Sequence, residues 1–291
     1  MSKKTILWAD QDKESIWLHV ENMIGLGIAG NFAGHLEQAG EAEHFEHIEH
    51  EHAHAPKGLF PFYLPTESWL PIEVSPYSMS HISLPDTDSD VQIEPEVSII
   101  FDIVYDDTKV IDLIPRYFAA FNDCSVRRPP TDKISQRKNW GPNTKWIASS
   151  FLPLEDFSEQ WTLHDRRIEC FQRTNGKLHT YGVDSAVSEY NFIYDQLKEW
   201  LICSMNHQTD HGQLESISSL LAMAEYPAQA LIAIWATRYT DHGNTTYLSS
   251  WDESYVIIYD ETKHTPEQIR AYIDADELDK EGISFVRQEV L

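Results

Sequence analysis

Cysteine is scarce in this chain of 291 residues, and the few present exclude two classes of protein. Cys124, Cys170 and Cys203 are odd in number, widely spaced and free of any CxxC pair. Neither a disulfide framework nor a zinc ribbon is expected, and a reducing compartment fits. Basic charge is also short: 22 lysines and arginines stand against 47 acids, for a formal net charge of -25. Such a surface repels phosphate backbones and anionic lipids, so neither nucleic acid nor membrane is expected as a partner. Long apolar runs are missing too. The opening MSKKTILWADQDKES has no continuous apolar stretch of the kind a secretory signal needs, and no later run approaches bilayer length. The expectation is a soluble, cytoplasmic protein. Internal repeats and low-complexity linkers are absent, as is the regular strand-helix-strand period of a doubly wound sheet.

What is present reads as an α+β architecture. An apolar content of 42% allows a sizeable core. EVSIIFDIVYDD has the length and apolar pattern of a half-buried or central strand ending in an Asp-Asp turn, and Glu94 and Glu96 lie at its entrance. RRIECFQRTNGKLHTYGV places Asn175-Gly176 between two strand-like runs, a hairpin signal. SEYNFIYDQLKEWLICSM puts Phe192, Ile193, Leu197, Trp200 and Leu201 on one helical stripe that should pack on a sheet. ALIAIWATRY and SYVIIYDE read as further strands, and Thr265-Pro266-Glu267-Gln268 announces a short terminal helix.

Four motifs carry chemical possibilities. Gly25 to Gly30 matches GxGxxG, but without a strand-helix-strand unit around it the run is expected to be a tight loop needing small residues. His50-Glu51-His52-Ala53-His54 satisfies HExxH inside EAEHFEHIEHEHAH, a stretch so rich in Glu and His that the pattern arises by composition. Pro56 would also stop a helix just after the second histidine. Asp86 to Asp90 begins like a calcium loop, yet Val91 stands where the turn glycine belongs and Val97 where the bidentate Glu should sit. In Glu94-Pro95-Glu96, residues two apart on an extended strand project from one face, so both carboxylates can converge. With Asp123 as a third acid, like-charge repulsion would call for a cation such as Mg²⁺, Mn²⁺ or Ca²⁺.

The order of elements around this triad resembles the fumarylacetoacetate hydrolase superfamily. Gly30-Asn31-Phe32-Ala33-Gly34-His35 looks like that family's Asn-aromatic-x-x-His segment, and Glu94-Pro95-Glu96-Val97 like its metal-binding Glu-x-Glu strand. Asn122-Asp123-Cys124-Ser125-Val126-Arg127 is similar to its Asn-Asp-x-Ser-x-Arg segment. Lys145 stands in the place of its lysine, and Asn175-Gly176 in that of its hairpin. Two departures stand out. Relatives place a Glu three residues after the histidine, where this chain has Gln38, with Glu37 and Glu41 as substitutes. The late Gly-Thr-Pro turn is reduced to Ala236-Thr237-Arg238.

The resemblance implies a mixed β-sheet roll with peripheral helices. It divides the chain into an N-terminal region, 1–92, carrying the His/Glu-rich insert 41–54, a metal-binding core, 93–262, and a C-terminal helix and strand, 263–291. It implies a divalent metal, Mg²⁺ first and Mn²⁺ or Ca²⁺ as alternatives, on Glu94, Glu96 and Asp123. His35, Lys145 and Glu37 become the candidate catalytic residues, and Asn31, Arg127 and Thr237 the substrate-binding ones. The activity implied is that of a homodimeric hydrolase or lyase acting on a β-dicarbonyl or 2-oxo acid, acylpyruvate-like, through a metal-stabilised enolate. The alternative is a degenerate member that binds metal and a small carboxylic acid without turnover. A third reading, an acidic interaction protein working through its His/Glu segment, predicts that loss of residues 41 to 54 abolishes function while Glu94→Ala leaves it intact.

Overall fold

The structure, a computed structural model, describes residues 6–11, 14–31, 55–66, 71–85, 89–127, 131–154, 157–158, 163–190 and 192–291. His35, Glu37, Gln38, the HExxH run and Asp86 to Asp88 of the calcium-like loop lie outside the described residues.

In chain order the strands are β1 (Ile6–Gln11), β2 (Glu14–His19), β3 (Ile24–Ala29), β4 (Gly58–Tyr63), β5 (Tyr77–Ser78), β6 (His81–Ile82), β7 (Val91–Gln92), β8 (Pro95–Asp106), β9 (Lys109–Asn122) and β10 (Ser125–Val126). After helix α1 (Ser135–Lys138) come β11 (Lys145–Ile147), β12 (Ser150–Pro153), β13 (Arg166–Thr174) and β14 (Lys177–Ala186). Helices α2 (Tyr194–His207) and α3 (Ile217–Met223) precede β15 (Gln229–Ala236). The remainder is α4 (Asp241–Thr245), β16 (Glu253–Asp260), α5 (Pro266–Ala275) and β17 (Ile283–Val290). A large mixed sheet runs β2-β1-β12-β9-β8-β15-β3-β4, with β11 and β5 joined at β9, and a smaller sheet runs β14-β13-β16-β17-β6. This is the α+β fold expected. Among the described residues no helix is long and apolar enough to cross a membrane.

The β8–β9 hairpin is the spine of the large sheet. Its turn carries Asp107 at φ 54°, a left-handed conformation that Asp tolerates better than most residues. Val97, Ile99, Ile100 and Phe101 are all fully buried. Since neighbours on a strand face opposite ways, both faces of β8 are covered. One cover is the small sheet, whose Ser284 and Gln288 side chains accept from Ala120 N–H (3.0 Å) and Asn122 Nδ2 (2.5 Å) of β9. Helix α2 fastens β9 as well: the Asn206 amide accepts from Val110 N–H (3.0 Å) and donates to its carbonyl (2.7 Å).

The small sheet confirms two local signals. Asn175 and Gly176 join β13 to β14 with φ values of 49° and 75°, the doubly positive turn that matches strand twist. Helix α5 begins with a complete capping box, Thr265 Oγ1 accepting from Gln268 N–H and Gln268 Oε1 from Thr265 N–H. It buries Ile269 and Ile273 against Phe171, Tyr255, Ile257 and Tyr259 on the outer face of the sheet.

Two expectations require correction. Gly25 to Ala29 is not a loop but strand β3, parallel to β15, with only Gly30 turning at φ 75°. The glycines there make room for aromatic rings: a Cβ on Gly25 would stand 2.4 Å from Phe62, and one on Gly27 2.2 Å from Phe60. The helical stripe also starts later than expected. Phe192 and Ile193 precede α2, because Phe192 N–H donates to Asn31 Oδ1 (3.0 Å) and holds that segment extended. Within the helix Leu197 and Leu201 are buried as expected, together with Tyr194 and Met205.

Candidate metal centre

The open end of the β8–β9 hairpin brings distant residues to one rung. Pro95 pairs with Asn122, so Glu94 and Glu96 at the start of β8 meet Asp123 just past the end of β9. Two hydrogen bonds lock the mouth: Glu94 N–H donates to Asn122 Oδ1 (3.1 Å) and Asp123 N–H to Glu94 O (2.9 Å). Each of the three carboxylates offers an oxygen, all within 4.8 Å of one another, and all three residues are at least 96% buried.

Three cations surround them. Lys145, fully buried on β11, places Nζ 2.7 Å from Asp123 Oδ1 and donates to Cys124 O (2.6 Å). Arg127 donates from Nη2 to Glu94 Oε1 (2.5 Å) and Tyr239 Oη (3.0 Å), and from Nε to Gln92 Oε1 (2.7 Å). Lys138, at the end of α1, donates to Glu94 Oε2 and to Asp123 Oδ2 (2.5 Å), and lies over the Phe60 ring at 4.9 Å. These are charge-assisted bonds in a dry setting, where leaving one member unpaired is costly.

Burial would lower the Lys138 pKa, but Asp123, Glu94 and Glu96 outweigh it and hold the ammonium above the ordinary lysine range. Lys145 goes the other way: burial lowers it, and Asp123 only partly compensates. Glu96 is raised well above the carboxylate range by burial and by neighbouring Asp123, against the pull of Lys138. Its Oε2 is buried and has no hydrogen-bond partner among the described residues. Burial also pushes the Cys124 thiol up to about 12, so it is no thiolate nucleophile near neutrality.

The donor set fits a hard divalent cation. Three carboxylate oxygens within that span suit one coordination shell, since opposite ligands of Mg²⁺ lie about 4.2 Å apart and those of Ca²⁺ up to about 5 Å. The Glu96 oxygen without a hydrogen-bond partner is a group such an ion would satisfy. The condition is Lys138, which faces two of the three acids.

The other expected site residues fall in different places. Asn31 is buried and gives its amide to backbone, donating to Phe192 O (2.9 Å) and Ile234 O (3.2 Å). Thr237 braces the start of β8, its N–H donating to Pro95 O (3.2 Å) while its hydroxyl donates to Val183 O (2.6 Å). Lys138 escaped the sequence reading. Within ISQRKN it looks like any basic surface turn, and only tertiary structure reveals a buried lysine there.

A roll whose central hairpin closes on a buried acidic triad is what the resemblance to the fumarylacetoacetate hydrolase superfamily implies, and solved structures share the fold along nearly the whole chain. Cg1458 with inhibitor is 16% identical at a TM-score of 0.53, with 96% of this chain and 81% of that one covered. 2-Keto-3-deoxy-D-arabinonate dehydratase in its apo form is 10% identical at a TM-score of 0.51, covering 97% and 77%. The same dehydratase complexed with magnesium and 2,5-dioxopentanoate gives 0.50, again at 10% identity, 97% and 77%. At these identities the likeness is one of fold. No curated protein matches the sequence. A family model matches residues 41–290, and the chain belongs to that family, a family of unknown function (DUF5718).

Proposed function

We propose that this protein is a divalent-metal-dependent enzyme of the fumarylacetoacetate hydrolase type acting on a β-dicarbonyl or 2-oxo acid. The observation that carries the reading is the meeting of Glu94, Glu96 and Asp123 in a buried shell where Glu96 Oε2 has neither a hydrogen bond nor an ion pair among the described residues. A similarly folded dehydratase with magnesium and 2,5-dioxopentanoate supports the choice of substrate class. A divalent cation, Mg²⁺ first, held by those three residues supplies Lewis acidity toward a chelating pair of substrate oxygens. Lys145 keeps a fixed positive charge at Asp123, where negative charge on the substrate can be stabilised. Arg127 orients Glu94 through its pair and its bond to Tyr239. His35 is the proposed base, with Glu37 as its partner, since an imidazole titrates near the working pH.

A screen of 2-oxo acids and acylpyruvates, with and without EDTA, tests this. Turnover should appear with Mg²⁺ or Mn²⁺, vanish on chelation, and be lost in Glu96→Gln and His35→Ala. Product formation that survives both chelation and Glu96→Gln contradicts the reading. The Lys138 contacts favour a second reading, binding of a small carboxylic acid without turnover, which predicts ligand affinity but no product in any arm.

A further inference from the structure

Lys138 faces the carboxylates that a metal would need. Its ammonium donates to Glu94 and to Asp123, two of the three acids, and its side chain is buried against the Phe60 ring. With Lys145 on the other Asp123 oxygen and Arg127 on the other Glu94 oxygen, three carboxylates stand against three cations. With every group counted as ionised the charges cancel, and Glu96 Oε2 has no hydrogen-bond partner among the described residues. Adding a divalent ion while all three cations stay in place would leave two surplus positive charges in a buried site, where charge is costly. Space points the same way. A tetrahedral ammonium with N···O near 2.8 Å holds its acceptors roughly 4.6 Å apart, and a divalent ion holds its opposite ligands about 4.2 to 5 Å apart. An ammonium and a divalent ion therefore need spans of the same size, and the triad offers one oxygen from each residue within 4.8 Å.

We propose that Lys138 is the resident cation of the triad, and that a divalent ion enters by exchange with its ammonium. Metal occupancy and the Lys138 contacts to Glu94 and Asp123 are then mutually exclusive. Helix α1, whose last residue is Lys138, is the element through which this exchange is felt. The exchange lowers the affinity for free metal and lets the acids stay paired when no metal is bound. This inference rests on the metal reading above and adds to it the identity of the group that must leave.

Mn²⁺ alone is the probe, titrated by calorimetry and by electron paramagnetic resonance into the full-length wild type, Lys138→Gln and Lys138→Arg. Lys138→Gln should bind Mn²⁺ at least 10-fold more tightly than wild type, and Lys138→Arg, which keeps the charge, should remain within about 3-fold of it. Equal or weaker binding by Lys138→Gln overturns the inference while leaving the metal reading in place. Absence of binding in all three proteins overturns the metal reading and the inference with it. Because Lys138→Gln exposes two buried acids and could fail to fold, a second measurement uses the wild type only. Lys138 acylation by an amine-selective reagent, read by peptide mass spectrometry, should rise several-fold at saturating Mn²⁺. Unchanged labelling with Mn²⁺ bound overturns the exchange.

Discussion

Two buried glutamates, Glu96 and Glu169, are both pushed toward the protonated form by burial, but they sit among different neighbours. Glu169 lies on β13, on the face covered by α5, where the nearby Arg167 is committed to Asp184 at 2.7 Å. Burial, and then Asp184, raise its pKa to about 8, and its Oε2 has no hydrogen-bond partner. It meets burial by taking up a proton. Glu96 sits in a cluster where Glu94 and Asp123 have instead drawn Lys138, Lys145 and Arg127 to them. A lone buried carboxyl needs only protonation. Three together on one hairpin mouth recruit cations, and that demand sets the triad apart as the candidate site.

The largest effect should come from breaking the cationic arrangement. Asp123→Ala leaves Lys138 and Lys145 buried without their common partner and should cost roughly 3–5 kcal/mol in urea denaturation. A loss below about 1 kcal/mol would mean that water reaches the cluster and that the two regions are alike. The next effect concerns pH. Between the ordinary carboxyl value of 4.5 and about 8 the folded Glu169 holds a proton that the unfolded chain has lost. Stability should therefore fall as pH rises through this window and level off above it. Glu169→Gln removes that slope and should stabilise by several kcal/mol, at most about 5, at pH 9, with little change at pH 4. Identical slopes in the two proteins would show that Glu169 is not held protonated. The smallest effect tests the cover. Thr265→Ala removes the cap of α5 and should cost about 1 kcal/mol. By loosening α5 it should also move the Glu169 titration toward 4.5, read by carboxyl NMR, whereas an unmoved titration assigns the shift to Asp184 alone.

Part of the site was legible in the sequence. The apolar run after Glu96 and its Asp-Asp turn announce β8, whereas Asp123 joined the two glutamates through the family resemblance, and the returning strand whose register sets it beside Glu94 was not read from the sequence. Asn175-Gly176 and the Thr265 cap were legible too, each a local conformation fixed by its own side chains. Lys138 was not, because its burial depends on α1 docking over Phe60, and no short-range pattern encodes that contact. The glycines of β3 misled in the same way. Gly25 and Gly27 are small to fit Phe60 and Phe62 from a strand more than thirty positions away, so a motif of spaced glycines marked a packing surface.

The most direct test is anomalous scattering from crystals soaked in Mn²⁺. The account predicts one strong peak within coordination distance of Glu94, Glu96 and Asp123, with the Lys138 ammonium withdrawn from Glu94 and Asp123. Saturating Mn²⁺ that leaves the triad free of density, with Lys138 still seated on both acids, would contradict it.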